Sequence, residues 1–531
     1  MNKKIFHLNT DFEDNTYYTF DKKSTHIYNS DTTLADKKKY CTICGGRDTT
    51  VLNTAFYLHD LKNITLDFDD AIITLHGKIQ PFIIDNCENV TIKNIKIEYE
   101  RAFYTELDVV SGTEEGLCAK AKEKFPCRIE NGYFIPYAKE WENRNLHCDG
   151  CMFLQAFDSQ TGDGKGLMVI YLGEEIVEQE SPPCNRILHV RVRKEGDNIV
   201  FIGKFPENWT KGTTVVLEHE SRAISGIAMY HSKNITLDNC RLINGGGMGY
   251  YAVYTENITL RSIGFFRDEI SHGVITNAAD GIHFVACKGK VEITDSIFEG
   301  MIDDALNIHA NYYHVVKGDG NTIYARRSNF SHGLSAYAEA FGEGDVIAVY
   351  NGATLEEKCR FTIINAEVTG EWTTKFTVDK FSDFLCEDDL IENITTNPEL
   401  IIRNSRFSKI NSHVRLQTRG KTLLENCEFS LPVMLTGDMN YWFESSPIND
   451  LTIKDCRFFG KRGFIRLIPE FTPTDTAPYY HSGIKVENCS FEHNPVLIGN
   501  GGKDITFYNC AVLNGDKIET ETHGCENIII N

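Results

Sequence analysis

Along much of the chain, apolar and polar residues alternate in short runs, break at an Asn or Asp, and resume. The recurring phrase is apolar-x-apolar-x-(Asn/Asp)-(Cys/Ser)-x-apolar, as in Ile235 to Leu242 with Asn239-Cys240 at the break. Further copies run from Val291 to Phe298 (Asp295-Ser296), Leu400 to Phe407 (Asn404-Ser405), Thr422 to Phe429 (Asn426-Cys427), Leu451 to Phe458 (Asp455-Cys456) and Ile484 to Phe491 (Asn488-Cys489). Ile505 to Cys510 makes another, and weaker copies begin at Val90 and Ile258. Alternation with period 2, rich in Ile, Val, Thr and Phe, predicts strands. Successive anchors from 235 onward lie 23, 33, 109, 22, 29, 33 and 21 residues apart. A period of this size marks a solenoid. The Asn between two apolar pairs suits a one-residue bend, because Asn tolerates the left-handed conformation. The Cys or Ser after it then points inward and stacks coil upon coil. These features predict an all-β, right-handed parallel β-helix. A β-propeller or sandwich fits less well, since hairpins have no need of one strand-bend-strand phrase in a constant sense.

Two intervals break the period: 145 residues between the anchors at 90 and 235, and 109 between those at 291 and 400. Each leaves room for a small module of antiparallel strands, such as those read at Gly166 to Leu172 and Asp345 to Tyr350. The expected layout is N-terminal coils over 1–101, an inserted β domain over 102–218, coils over 219–310, a second barrel-like insert over 311–396, and C-terminal coils over 397–531.

One stretch of the coils carries chemistry. Asp280-Gly-Ile-His283-Phe284 aligns with Asp304-Ala-Leu-Asn307-Ile308 at a spacing of 24 residues, about one coil. The alignment puts His283 over Asn307, and one coil further Val414-Arg415-Leu416 puts Arg415 in the same column. Asp280, Asp303 and Asp304 then cluster on adjacent coils. Stacked like charges are destabilising and need a reason. Asp303-Asp304 sits between Met-Ile and Ala-Leu rather than in a polar loop. Because consecutive strand residues face opposite sides, both reach one site only where the chain bends. Paired carboxyls suit glycoside hydrolysis, one protonating the leaving oxygen while another activates water.

An Asp one coil upstream of an Asp-Asp pair resembles the inverting β-helix glycosidases, and within them glycoside hydrolase family 110, the exo-acting α-1,3-galactosidases. The residues that carry this likeness are Gly77 to Phe82, Asn86 to Ile92, Asp280 to Phe284, Met301 to His309, and Asn440 to Pro447. The resemblance implies Asp303 as general acid and Asp280 with Asp304 sharing the water as base. It also implies that His283, Asn307, His309 and Arg415 hold sugar hydroxyls, that Trp442 and Glu444 shape the pocket, and that neither cofactor nor metal is needed. The substrate it implies is a terminal α-1,3-linked galactose, linear or blood group B-like. The polygalacturonases of family 28 share the aspartate trio, but their Gly-His-Gly and Arg-Ile-Lys motifs are absent here. A lyase would need a calcium cluster and a basic proton abstractor. A non-catalytic tailspike-like or adhesin module would carry the aspartates as turn residues only.

Charge narrows the partners. The 531 residues hold 54 Lys+Arg against 75 Asp+Glu, a net charge of −21, which repels nucleic acid and anionic membranes. No run approaches the roughly 18 apolar residues of a membrane span. Self-association stays open. Seventeen cysteines, an odd number, argue for free thiols, several at one repeat position. Cys41-x-x-Cys44 and Cys148-x-x-Cys151 look like halves of a zinc site, yet 103 residues intervene where zinc ribbons use about 15–20. Asp67, Asp69 and Asp70 read as a solvated strand-turn. The basic opening lacks an apolar h-region, so the expected location is cytoplasmic as the sequence stands, or secreted or cell-surface if a leader has been removed.

Overall fold

Each repeat phrase forms two strands that meet at a sharp bend, and successive phrases pair in parallel. The computed structural model describes residues 2–8, 10–34, 53–113, 116–138, 153–169, 192–218, 224–268, 273–326, 340–370, 373–387, 389–439, 442–460, 464–470 and 479–531. Cys41, Cys44, Cys148 and Cys151 lie outside them. No helix among the described residues is long and apolar enough to cross a membrane. The chain is a right-handed parallel β-helix. One long parallel sheet runs through Lys62–His76, Glu88–Tyr99, Lys233–Leu242, Glu256–Arg261, Lys288–Thr294, Glu399–Arg403, Thr422–Glu425 and on to Glu526–Ile530. A second sheet runs through Gln80–Asp85, Ile227–Tyr230, Tyr250–Val253, Ile282–Val285, the start of Leu306–Asp319, Val414–Leu416 and Val433–Asp438.

The bend is where the sequence pattern becomes geometry. Asn94, Asn239, Asp295, Asn404, Asn426, Asp455, Asn488 and Asn509 all have φ between 51° and 58°. Their amides also bond from coil to coil: Asn239 Nδ2 to Asn94 Oδ1 at 3.0 Å, Asn426 to Asn404 at 2.9 Å, and Asn509 to Asn488 at 2.9 Å. Asn therefore does two jobs, accepting the left-handed backbone and adding a side-chain ladder. Replacing Asn426 with Ala is expected to cost about 1–2 kcal/mol from the strained φ, while Gly should recover part of that. Urea midpoints of the two variants test this.

Inside the coils, the last apolar residue of each phrase forms a column. Phe298 and Phe407 stack at 4.7 Å and 1°, Phe407 and Phe429 at 5.2 Å and 8°, and Phe458 and Phe491 at 4.9 Å and 11°. Cys240, Cys427, Cys456 and Cys489 are buried beside the bends as free thiols, and each Sγ meets a backbone carbonyl. They fill a small, weakly polar slot.

Where the period breaks, the coils continue in register: Lys233 pairs with Glu88, and Lys290 with Glu399. Between these points stand antiparallel sheets, one from Tyr104–Thr113 to Thr213–Glu218 and one from the outer half of Leu306–Asp319 to Leu390–Asn393. The first sheet reaches the coils through buried polar groups. Glu106 accepts from the N–H groups of Val274 and Ile275 at 2.7 and 2.9 Å, and Gln155 donates to the Ile302 carbonyl at 2.5 Å. It thereby grips the backbone just before Asp303.

Candidate active site

The site lies where the chain enters three adjacent strands of the second sheet. Asp280, Asp303 and Asp304 precede strands rather than lying in them. This bend lets the neighbours Asp303 and Asp304 escape strict alternation. The backbone around them is tied across coils: Gly281 N–H donates to the Asp304 carbonyl at 2.9 Å, and Ala305 N–H to the His413 carbonyl at 2.8 Å. A Cβ on Gly281 would stand 2.7 Å from the Ala305 carbonyl oxygen, so the close approach of these coils requires glycine there. The ladder pairs His283 with Asn307 and Asn307 with Arg415, the column read from the sequence.

Glu444 arrives by a different route. The short strand Glu444–Ser445 pairs antiparallel with Ala310–Asn311, where the strand starting at Leu306 leaves the coil. Its carboxylate accepts from Gln417 Nε2 at 3.0 Å and from Asn307 Nδ2 at 3.3 Å, with Arg415 Nη1 3.7 Å away. Trp442 is half-buried and packs against the cluster containing Tyr251, Ala279 and Val285. The structure thus brings together Asp280, His283, Asn307, His309, Arg415, Glu444 and the Asp303-Asp304 turn, with Trp442 on the flank.

Electrostatics separate the carboxyls. Asp304 is buried, which alone would favour its neutral form. Arg415 Nε at 3.1 Å, His413 and the Ser412 hydroxyl at 2.5 Å outweigh burial and hold it well below the usual carboxylate range. Burial works against Glu444 too, yet His309, Arg415, His283 and Gln417 bring it to about 2. Both are therefore acceptors, not acids, at neutral pH. Asp303 is only half-buried and contributes to the field on Arg415. Glu470, 3.9 Å from Arg415, is pushed up chiefly by burial.

Ser412, His413, Gln417 and Glu470 escaped the sequence reading. The first three flank Arg415, so extending the column by two or three residues each way would have found them. Nothing local marks Glu470. Donor atoms of His283, His309 and Glu444 lie within 4.8 Å of one another.

A parallel β-helix that gathers an aspartate trio, a largely buried arginine and two histidines on adjacent coils has the build of a glycoside hydrolase. No family model matches the chain. The α-1,3-galactosidase A of Bacteroides fragilis is 26% identical over 508 residues, 90% of this chain and 80% of that protein. The α-1,3-galactosidase A of Shewanella woodyi is 26% identical over 91% of this chain and 78% of its own length, and α-1,3-galactosidase B of Bacteroides thetaiotaomicron is 26% identical over 86% and 75%. Among solved structures, the likeness to the polygalacturonase of Erwinia carotovora covers 90% of this chain and 88% of that one, at 10% identity and a TM-score of 0.33. The chain is thus similar to α-1,3-galactosidases over most of its length.

Proposed function

We propose that the protein is an exo-acting, inverting α-galactosidase that removes terminal α-1,3-linked galactose from glycans. The observation that carries the catalytic reading is the pairing, on one turn, of a half-exposed Asp303 with an Asp304 locked in its ionised form by Arg415. The choice of galactose rests on the relatives. Asp303 protonates the glycosidic oxygen. Water is held by Asp304 and deprotonated chiefly by Asp280, because a carboxylate whose proton affinity is already low is the weaker base. Asn307 and Arg415 stand on the same face of the sheet as His283 and supply donors for hydroxyls, while Trp442 offers an apolar face to the sugar ring.

Proton NMR of the first product tests this. Incubation with an α-1,3-galactoside should release β-galactose before mutarotation. First release of α-galactose would overturn inversion, and turnover of polygalacturonate alone would overturn the substrate class.

A further inference from the structure

The first inserted sheet meets the aspartate turns at a buried amide. Gln155 lies on Phe153–Asp158, a strand paired antiparallel on both sides, with Gly164–Val169 and with Thr213–Glu218. Alternation along it separates two faces. Leu154 and Ala156 point into the core of the insert, whereas Phe157 packs in one apolar cluster with Ile275 and Ile302 of the coils. Gln155 shares that second face and is buried on it.

Its amide spans two coils. Nε2 donates to the Ile302 carbonyl at 2.5 Å, and Oε1 accepts from Asn411 Nδ2 at 3.1 Å. The opposite orientation of the amide would set Oε1 against the Ile302 carbonyl oxygen, two acceptors face to face, so the network fixes which end is which. Ile302 immediately precedes Asp303 and Asp304. Asn411 immediately precedes Ser412 and His413, whose hydroxyl and backbone N–H donate to Asp304 Oδ1 at 2.5 and 3.1 Å. One side chain of the insert therefore sets the spacing between the turn that carries the two carboxyls and the turn that holds one of them ionised. The docking is close: a Cβ on Gly164, where the next strand begins, would stand 1.8 Å from Asn411 Oδ1. Hydrolysis is sensitive to such spacing, since a displacement of about 1 Å at a reacting group can cost about 10²-fold in rate.

We propose that Gln155 is a positioning residue for hydrolysis, holding the Asp303-Asp304 turn against the Asn411-Ser412-His413 turn from the inserted sheet. It acts through Asp303 and not on the sugar. This role rests on the galactosidase reading above.

The test compares the full chain with its Gln155→Leu, Asn411→Ala and double variants, on an α-1,3-galactosyl disaccharide and on an aryl α-galactoside with a good leaving group. In Gln155→Leu, kcat on the disaccharide should fall about 10–10²-fold with KM nearly unchanged. The aryl substrate should lose less, because a misplaced Asp303 matters least where little protonation is needed. Asn411→Ala should act in the same direction by less, and the double variant should be no slower than Gln155→Leu, as one coupled unit requires. A merely structural amide would lower the melting temperature and leave kcat of the folded protein, and its dependence on the leaving group, where they were. Wild-type kcat in folded Gln155→Leu, equal losses on the two substrates, or additive losses in the double variant overturn the proposal. Should Gln155→Leu not fold, wild-type kcat in Asn411→Ala overturns it instead. If the unaltered protein hydrolyses neither substrate, the galactosidase reading fails by itself, and crystal structures decide the clamp. The Asp303 carboxyl should then be displaced in Gln155→Leu, or in Asn411→Ala if only that variant folds, and a carboxyl that stays in place overturns the proposal.

Discussion

Asp303→Asn is expected to lower kcat on a natural α-galactoside by about 10²–10⁴-fold, the usual contribution of a positioned proton donor. The amide keeps the shape of the carboxyl and cannot protonate a leaving oxygen. The side chain is half-exposed, on a turn whose backbone is held by Gln155 and by the neighbouring coils, so the melting temperature should hardly change. A purely structural role would not distinguish between leaving groups. The acid role does: an aryl galactoside whose phenol leaves readily needs little protonation, and the variant should lose far less on it than on a disaccharide. Equal losses on both substrates would remove Asp303 from the role of acid. In Asp280→Asn, by contrast, both substrates should suffer alike, since attack by water is impaired whatever the leaving group.

Arg415→Met is expected to destabilise the protein by about 3–5 kcal/mol at neutral pH, the range for stripping one partner from a buried charge network. The guanidinium lies 3.1 Å from Asp304, 3.7 Å from Glu444 and 3.9 Å from Glu470. Met keeps much of the stem's packing and removes only the charge and its donors. The sign of the pH dependence follows from the depressed carboxyls. Asp304 is held below its ordinary 3.8, and Glu444 falls from 4.5 to about 2. Their contribution is fully present above those ordinary values and is lost as the pH falls toward the folded ones. Without Arg415 both folded values rise, so the variant takes up protons earlier and its deficit shrinks in acid. Urea unfolding of both proteins should therefore show the largest gap near pH 7 and a smaller gap below about pH 4. A gap that does not vary with pH would mean that Arg415 acts through packing alone.

Local pattern was enough to determine the coils. The alternation, the Asn at each bend and the Phe and Cys columns are properties of one repeat against its neighbour, and nearest-neighbour pairing is what a solenoid is made of. For the same reason the column His283, Asn307, Arg415 could be read by aligning coils. Tertiary structure decided what that repetition does not encode. Glu444 reaches the site because a two-residue strand pairs antiparallel with Ala310–Asn311, a contact across 133 or more positions of chain with no repeat to announce it. Gln155 and Glu106 act from an antiparallel sheet whose register follows its own hairpins. The protonation states were also invisible in one dimension. Asp303 and Asp304 are neighbours of identical chemistry, and only the fold sets Arg415, Ser412 and His413 against Asp304 and holds it ionised in spite of its burial. The histidines show the same limit: the sequence placed them near the aspartates, but it took the fold to turn their Nε2 atoms toward each other and toward Glu444.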